Sequence, residues 1–329
     1  MLLSFFLPGS RNRMGHALIG IFSQVVSVMS DPFEAVASVL PYELRRSALS
    51  LTAEQQRMAE EIRLRVGYPV RVVIGAGEIT PSSKATVMPD DLQTVLEMAC
   101  EHSVHAALER MRSGFITVRG GHRIGICGEV IAEQGKIIGF RRPSSLNLRI
   151  AREVKGASAG LAEFLIEEDR LTSTLIIGLP GAGKTTLLRD LIRSISMGDG
   201  VPPHRVGVVD ERGELAAVWN GAPQMELGPQ SDVLDGVPKA EGMLFLLRGM
   251  NPQVLAVDEI TNPEDIPAIL QVSGCGTAVL ATIHGKNWRE VLMRPAYQKL
   301  MEQRIFRKAV MVNRTGTGER KWKVEEITC

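Results

Sequence analysis

Cysteine is scarce and scattered. The four thiols, Cys100, Cys127, Cys275 and Cys329, show no C-x-x-C spacing, which argues against a disulfide framework and a zinc site and leaves them as reduced thiols. A charge excess is missing too: 38 Lys plus Arg stand against 37 Asp plus Glu, a net charge of +1. The global basic field of a dedicated nucleic-acid binder is therefore absent. No apolar run reaches the roughly 18 residues of a membrane span, so the chain is expected to be soluble. The nearest approach runs from Met14 to Met29, with Arg11 and Arg13 before it and Ser23 and Gln24 interrupting it. It is expected to form an amphipathic helix or an irregular extension rather than a secretory signal. Among six histidines only His102 and His105 are near neighbours, and a helix surface explains an i, i+3 pair without a nearby Cys better than a metal site does.

The chain does have length for about two domains and 44% hydrophobic residues to fill their cores. It also has one long motif. Gly178, Leu179, Pro180, Gly181, Ala182, Gly183, Lys184, Thr185 and Thr186 match G-x-x-x-x-G-K-[ST] at every fixed position. The apolar run Ser173 to Ile177 precedes them as a strand, and Leu187, Leu188, Leu191, Ile192 and Ile195 follow with the spacing of one helix face. In that context the glycines let backbone N–H groups turn inward around an anion. Lys184 offers an ammonium to the β- and γ-phosphates, and Thr185 a hydroxyl to Mg²⁺.

Before the motif, residues 31–140 read as a small α+β domain. Helices are expected from Asp31 to Leu40, from Thr52 to Arg63 and from Pro89 to Met111. Strands are expected at Pro69 to Ile74, and in a hairpin from Phe115 to Ile126 turning at Gly120-Gly121. Gly128 to Ile131 and Ile137 to Phe140 add two more. His122, at the hairpin tip, reads as a solvated turn residue or a contact. Residues 141–158 read as a basic linker in which Arg141, Arg142, Arg149 and Arg152 either form a solvated face or send an arginine, of this or a neighbouring subunit, to a γ-phosphate.

From residue 159 to 329, near-continuous apolar strands alternate with helices, which predicts a parallel sheet covered on both faces. Chemistry collects at the carboxyl ends of such strands. There the sequence places the phosphate loop, Asp210-Glu211-Arg212-Gly213-Glu214, Asp258-Glu259 and His284. The run Val254 to Val257 ending in Asp258-Glu259 fits a Walker B element, with Asp258 toward Mg²⁺ and Glu259 toward the attacking water. Pro267 is expected to distort the helix that Asn262 and Pro263 open. Ala309 to Asn313 and Lys321 to Ile327, around Gly316-Thr317-Gly318, read as a terminal hairpin.

These residues resemble the secretion ATPase superfamily, whose members include hexameric type II and type IV secretion and pilus-retraction motors. Its acidic box, Glu-Asp-x-x-Glu, is matched by Asp210 to Glu214 with the first two acids exchanged. Its Walker B Gly-Glu stands here as Asp258-Glu259. Thr282-Ile283-His284-Gly285 is similar to its histidine box. Within that superfamily Glu61 to Arg65, Arg119 to Gly125, Ser145 to Arg149 and Val209 to Glu214 resemble the sporulation stage III AA family of endospore-forming bacteria, from about Phe33 onward. Residues 1–30 fall outside the match and read as an added or misassigned start.

The resemblance implies a RecA-like P-loop domain and a mother-cell cytoplasmic ATPase that works with a membrane channel between mother cell and forespore. It further implies a homo-hexamer, contact with the membrane through integral membrane partners, and ATP with Mg²⁺ as ligands. Lys184, Glu259, Glu214, Glu211, His284, Arg149 and Arg152 are the catalytic candidates. Glu259 is preferred over Glu214 for activating water, because it adjoins Asp258. No Ser-Gly-Gly signature of an ABC ATPase and no Asn-Lys-x-Asp guanine motif occurs, which makes ATP the expected nucleotide; the net charge of +1 makes direct nucleic-acid contact unexpected. A hexameric RecA-like nucleic-acid motor and a non-enzymatic nucleotide switch for channel assembly are the alternatives.

Overall fold

A computed structural model describes residues 31–100, 114–314 and 320–328. The segment 1–30, His102 and His105, the end of the helix expected to reach Met111, and the turn at Gly316 to Gly318 lie outside the described residues.

Three short helices open the first domain: α1 (Pro32–Ala37), α2 (Tyr42–Leu49) and α3 (Ala53–Met58). Asp31 accepts a hydrogen bond from the Phe33 N–H at 2.8 Å, with Pro32 in the first turn, and Thr52 and Gln55 cap α3 reciprocally. The helix expected to reach Arg63 stops at Met58. From Ala59 the apolar residues alternate, Ile62 and Leu64 are fully buried, and the chain becomes strand β1 (Ala59–Arg65). Then follow β2 (Arg71–Ile74), β3 (Gly77–Ile79), α4 (Pro89–Ala99), β4 (Phe115–Val118), β5 (His122–Glu133) and β6 (Lys136–Arg149).

Their sheet runs β3-β2-β1-β6-β5-β4 and is antiparallel throughout. The two strands expected beyond Gly128 are the far ends of β5 and β6. Residues 141–149, expected in the linker, belong to β6: Ser145 to Arg149 pair with β1 on one side and β5 on the other. Leu146 and Leu148 face the core in that pairing, so their alternation is a strand signal inside a basic stretch.

Beyond residue 158 comes a small hairpin, β7 (Ile166–Glu167) and β8 (Arg170–Leu171). The second domain then alternates: β9 (Thr174–Gly178), α5 (Lys184–Met197), β10 (Val206–Asp210), β11 (Ser231–Asp235), α6 (Lys239–Met250), β12 (Val254–Val257), α7 (Asp265–Gly274) and β13 (Ala278–His284). Helices α8 (Trp288–Leu292) and α9 (Pro295–Glu302) lead to the hairpin of β14 (Lys308–Arg314) and β15 (Arg320–Glu326). The sheet order is β11-β10-β12-β13-β9-β14-β15, parallel except for β15.

Alternate residues of these strands feed two cores. Ile176, Val208 and Ala256 pack with Leu188 and Leu191 of α5; Ile177, Val209 and Val257 pack with Met243 of α6 and Ile269 of α7. The sheet is thus buried on both faces. Strand β11 carries no apolar-run signal because Ser231, Asp232 and Asp235 are polar and none of its residues is fully buried. Pro267 falls in the first turn of α7, where its missing N–H has no intrahelical partner to lose, so the helix runs undistorted to Gly274. Among the described residues no helix is long and apolar enough to cross a membrane.

Candidate functional site

The phosphate loop joins β9 to α5 at the carboxyl edge of the parallel sheet. Gly178 is required by close approach, since a Cβ there would stand 2.7 Å from the Val312 carbonyl oxygen. Gly183 has φ +98°, the left-handed turn that admits the chain into α5. Lys184, the first residue of that helix, is only 7% exposed. Its Nζ lies 3.3 Å from the Leu179 carbonyl oxygen and 2.9 Å from His284 Nδ1. Burial pulls its pKa below the usual lysine value, against the opposing charges of Asp258 and Glu259.

One residue on, Thr185 donates its hydroxyl to Asp258 Oδ2 at 2.8 Å. The other oxygen of Asp258 accepts from the Thr282 hydroxyl at 2.5 Å, and the Glu259 N–H donates to that same hydroxyl at 2.8 Å. Burial raises the Asp258 pKa; the Thr282 and Thr185 hydrogen bonds oppose this, and the Glu214 and Asp210 charges add to it. Thr282, on the central strand β13, thereby fixes both acids at the end of β12.

Glu259 adopts φ +49°, unusual for a residue with a side chain. Both its oxygens are engaged: Oε1 stands 2.9 Å from His284 Nε2 and Oε2 3.3 Å from the Arg212 guanidinium. Because Lys184 can only donate to Nδ1, the ring proton belongs on Nε2, directed at Glu259. Lys184, His284, Glu259 and Arg212 form one continuous chain.

The acidic box divides its labour. Asp210 is buried, and its carboxylate accepts the backbone N–H groups of Glu214, Leu215, Ala216 and Ala217 at 2.7 to 3.3 Å, so it shapes the turn. Glu211 pairs with the buried Lys239 of α6. Glu214 accepts from Arg123 Nη1 at 2.8 Å, an arginine of β5 in the first domain. Of the candidate glutamates only Glu259 touches the group around Lys184.

Between the domains lies a cleft of about 540 Å³ bordered by Thr185, Thr186, Arg189, Glu214, Arg149 and Arg152. Arg152 donates to the carbonyls of Gln56, at 2.9 Å, and Ala59. Arg149 lies 3.7 Å from Glu61 and is largely exposed. Both border the cleft that the same chain's Thr185 and Thr186 also border, whereas Arg141 and Arg142 sit beside Glu129, outside it. Sequence reasoning missed Arg123 and Arg189. Arg189 was accessible in principle, four residues after Thr185 on one helix face; Arg123 had no local signal.

His122 is corrected by the structure. It is 3% exposed rather than solvated, and its Nδ1 accepts the Ala151 N–H at 3.0 Å. Burial, aided by the Arg152 charge, lowers its pKa to about 4.

The arrangement fits a nucleoside triphosphate with Mg²⁺. A Cβ at Gly181 would meet nothing within 4 Å, which leaves the loop's mouth open. The loop from Gly178 through Pro180, Gly181, Ala182 and Gly183 to Thr186 could cradle phosphates. Thr185 and Asp258 could hold the cation, which commonly takes one or two protein ligands and completes its shell with water and phosphate.

The family model for sporulation stage III, protein AA, matches residues 31–325. Stage III sporulation protein AA of Bacillus subtilis (strain 168) is 39% identical over 281 residues, which make up 85% of this chain and 90% of that protein. Among solved structures, the pilus retraction motor PilT with bound ADP has a TM-score of 0.58 at 19% identity, covering 83% of this chain and 80% of its own. The Legionella pneumophila ATPase DotB has a TM-score of 0.53 at 17% identity, covering 82% and 76%. At such identities these two speak for the fold alone: a RecA-like α/β domain preceded by a smaller α+β domain.

Proposed function

The chain belongs to the sporulation stage III, protein AA family, and from that premise we propose that it is an ATP hydrolase. In this reading it works in the mother-cell cytoplasm, where turnover powers or assembles a secretion-like channel to the forespore. The observation that carries the reading is the convergence of Lys184, Thr185, Asp258, Glu259 and His284 at one edge of the parallel sheet.

Lys184 gives up its contacts with His284 and Leu179 for phosphate oxygens, where its charge offsets that developing on the transferred group. Thr185 and Asp258 would hold the cation, and Mg²⁺ would supply positive charge that neutralises the phosphates. Glu259 then accepts the proton of the attacking water, with His284 orienting its carboxylate from the other side. Arg149 and Arg152 face the triphosphate across the cleft from within the same chain. Glu211 and Glu214, held by Lys239 and Arg123, shape the site without taking the proton.

We further propose a homo-hexamer that reaches the membrane through integral membrane partners of the channel, without direct contact to nucleic acid. Phosphate release from ATP by the purified full chain tests the hydrolase. Mg²⁺-dependent turnover, unchanged by added DNA or RNA, is expected. Stimulation by nucleic acid would instead identify a nucleic-acid motor, and nucleotide binding without turnover, even with the partners present, a switch.

A further inference from the structure

Arg212 occupies a position in the acidic box to which the hydrolytic scheme gives no task. Its guanidinium reaches Glu259 Oε2 at 3.3 Å, while its own carbonyl accepts from Arg123 Nη2. Arg123 belongs to the other domain. Its second nitrogen binds Glu214 at 2.8 Å, and its guanidinium lies 4.7 Å over the Phe115 ring, so three contacts hold it. The loop between is gripped from the opposite side by the Asp210 carboxylate, and Arg189 of α5 donates to the carbonyls of Glu214 and Leu215. Residues 211–217 are therefore fixed by the first domain, the phosphate-loop helix and the sheet together.

The Arg212–Glu259 pair is more than half exposed on the arginine side, and such pairs contribute little to stability. What the contact supplies is direction. Glu259 sits in a left-handed backbone conformation, and its carboxylate is aimed by one partner on each oxygen, His284 and Arg212. We propose that Arg212 is a positioning residue that aims Glu259 for hydrolysis, and that Arg123 of the first domain acts through it. The placement of the first domain thereby sets the readiness of the carboxylate. This rests on the reading of Glu259 as proton acceptor.

Arg212 does not border the cleft, so Arg212→Gln should lower kcat on the order of tenfold with KM unchanged. Arg212→Lys, which keeps a cation, should recover part of the loss. Arg123→Gln should also lower kcat, yet add little in an Arg212→Gln background, because the two act in series. In the nucleotide-free full chain, amide exchange over residues 211–217 should quicken in Arg123→Gln and stay as in wild type in Arg212→Gln. Wild-type kcat in Arg212→Gln, or a raised KM at unchanged kcat, would overturn the role of Arg212. Additive kcat losses, or unchanged exchange in Arg123→Gln, would overturn the link to the first domain. A wild-type chain that never turns over, or a Glu259→Gln variant at wild-type rate, would sink the hydrolase reading and this inference with it, a result distinct from failure at Arg212 alone.

Discussion

Lys184 directs its Nζ to Nδ1 of His284 at 2.9 Å. The contact keeps a buried ammonium partnered; in the proposed hydrolase, phosphate oxygens would replace the imidazole. Lys184→Ala removes that charge without disturbing the packing of α5, so turnover should fall by more than about tenfold while the thermal transition stays cooperative. Phosphate release and circular dichroism on one preparation check this; near wild-type turnover in a folded sample would refute the assignment.

Glu259→Gln keeps the shape of the side chain and removes its basicity. It should bind ATP and stall. Glu214→Gln should weaken the pairing with Arg123 and lower turnover by a smaller factor. Single-turnover kinetics on both variants decide, and a stalled Glu214→Gln beside an active Glu259→Gln would reverse the roles.

Thr282→Val should damage the site from beneath. Thr282 is fully buried and serves both Asp258 and the Glu259 N–H. Leaving those groups without the hydroxyl should cost about 1–3 kcal/mol and raise the Mg²⁺ concentration needed for half-maximal turnover. Thermal denaturation and a Mg²⁺ titration measure the two effects; an unchanged melting temperature would contradict the account.

Arg149 and Arg152 border the cleft that holds their own chain's Thr185 and Thr186. Mixing Arg149→Ala or Arg152→Ala protein with Lys184→Ala protein should therefore restore no activity, since no composite site gains a complete set. Recovery above the sum of the separate activities would show that the arginines serve a neighbouring subunit.

His122 should make stability pH-dependent in a defined window. Its pKa falls from 6.5 to about 4 in the folded chain, so below pH 6.5 the unfolded chain binds a proton that the folded chain refuses. The stability it contributes is complete above pH 6.5 and is lost as pH falls toward 4, amounting to roughly 3 kcal/mol. His122→Asn, which offers an oxygen near the position of Nδ1 to the Ala151 N–H, should lose less between pH 7 and pH 5 in urea unfolding. Parallel pH dependence in the two proteins would rule this out.

Features that depend on neighbours in the chain are legible in the amino-acid sequence. The glycines and Lys184-Thr185 of the loop, the apolar run ending in Asp258-Glu259, the Gly120-Gly121 hairpin and the alternation of strands and helices are all local patterns, and each stands in the structure where the pattern puts it. Tertiary packing set which acid keeps which partner. Asp210, Glu211 and Glu214 are near neighbours in sequence, yet one caps its own turn, one goes to Lys239 and one to Arg123, 91 residues away. It also decided that the stretch after Ala59 is strand, that β6 runs through the basic residues to Arg149, and that His122 is buried. The physical reason is common to these cases. Hydrophobic period and backbone turn preference act over a few residues, whereas the burial and charge pairing of a polar side chain are set by whichever distant segment packs against it.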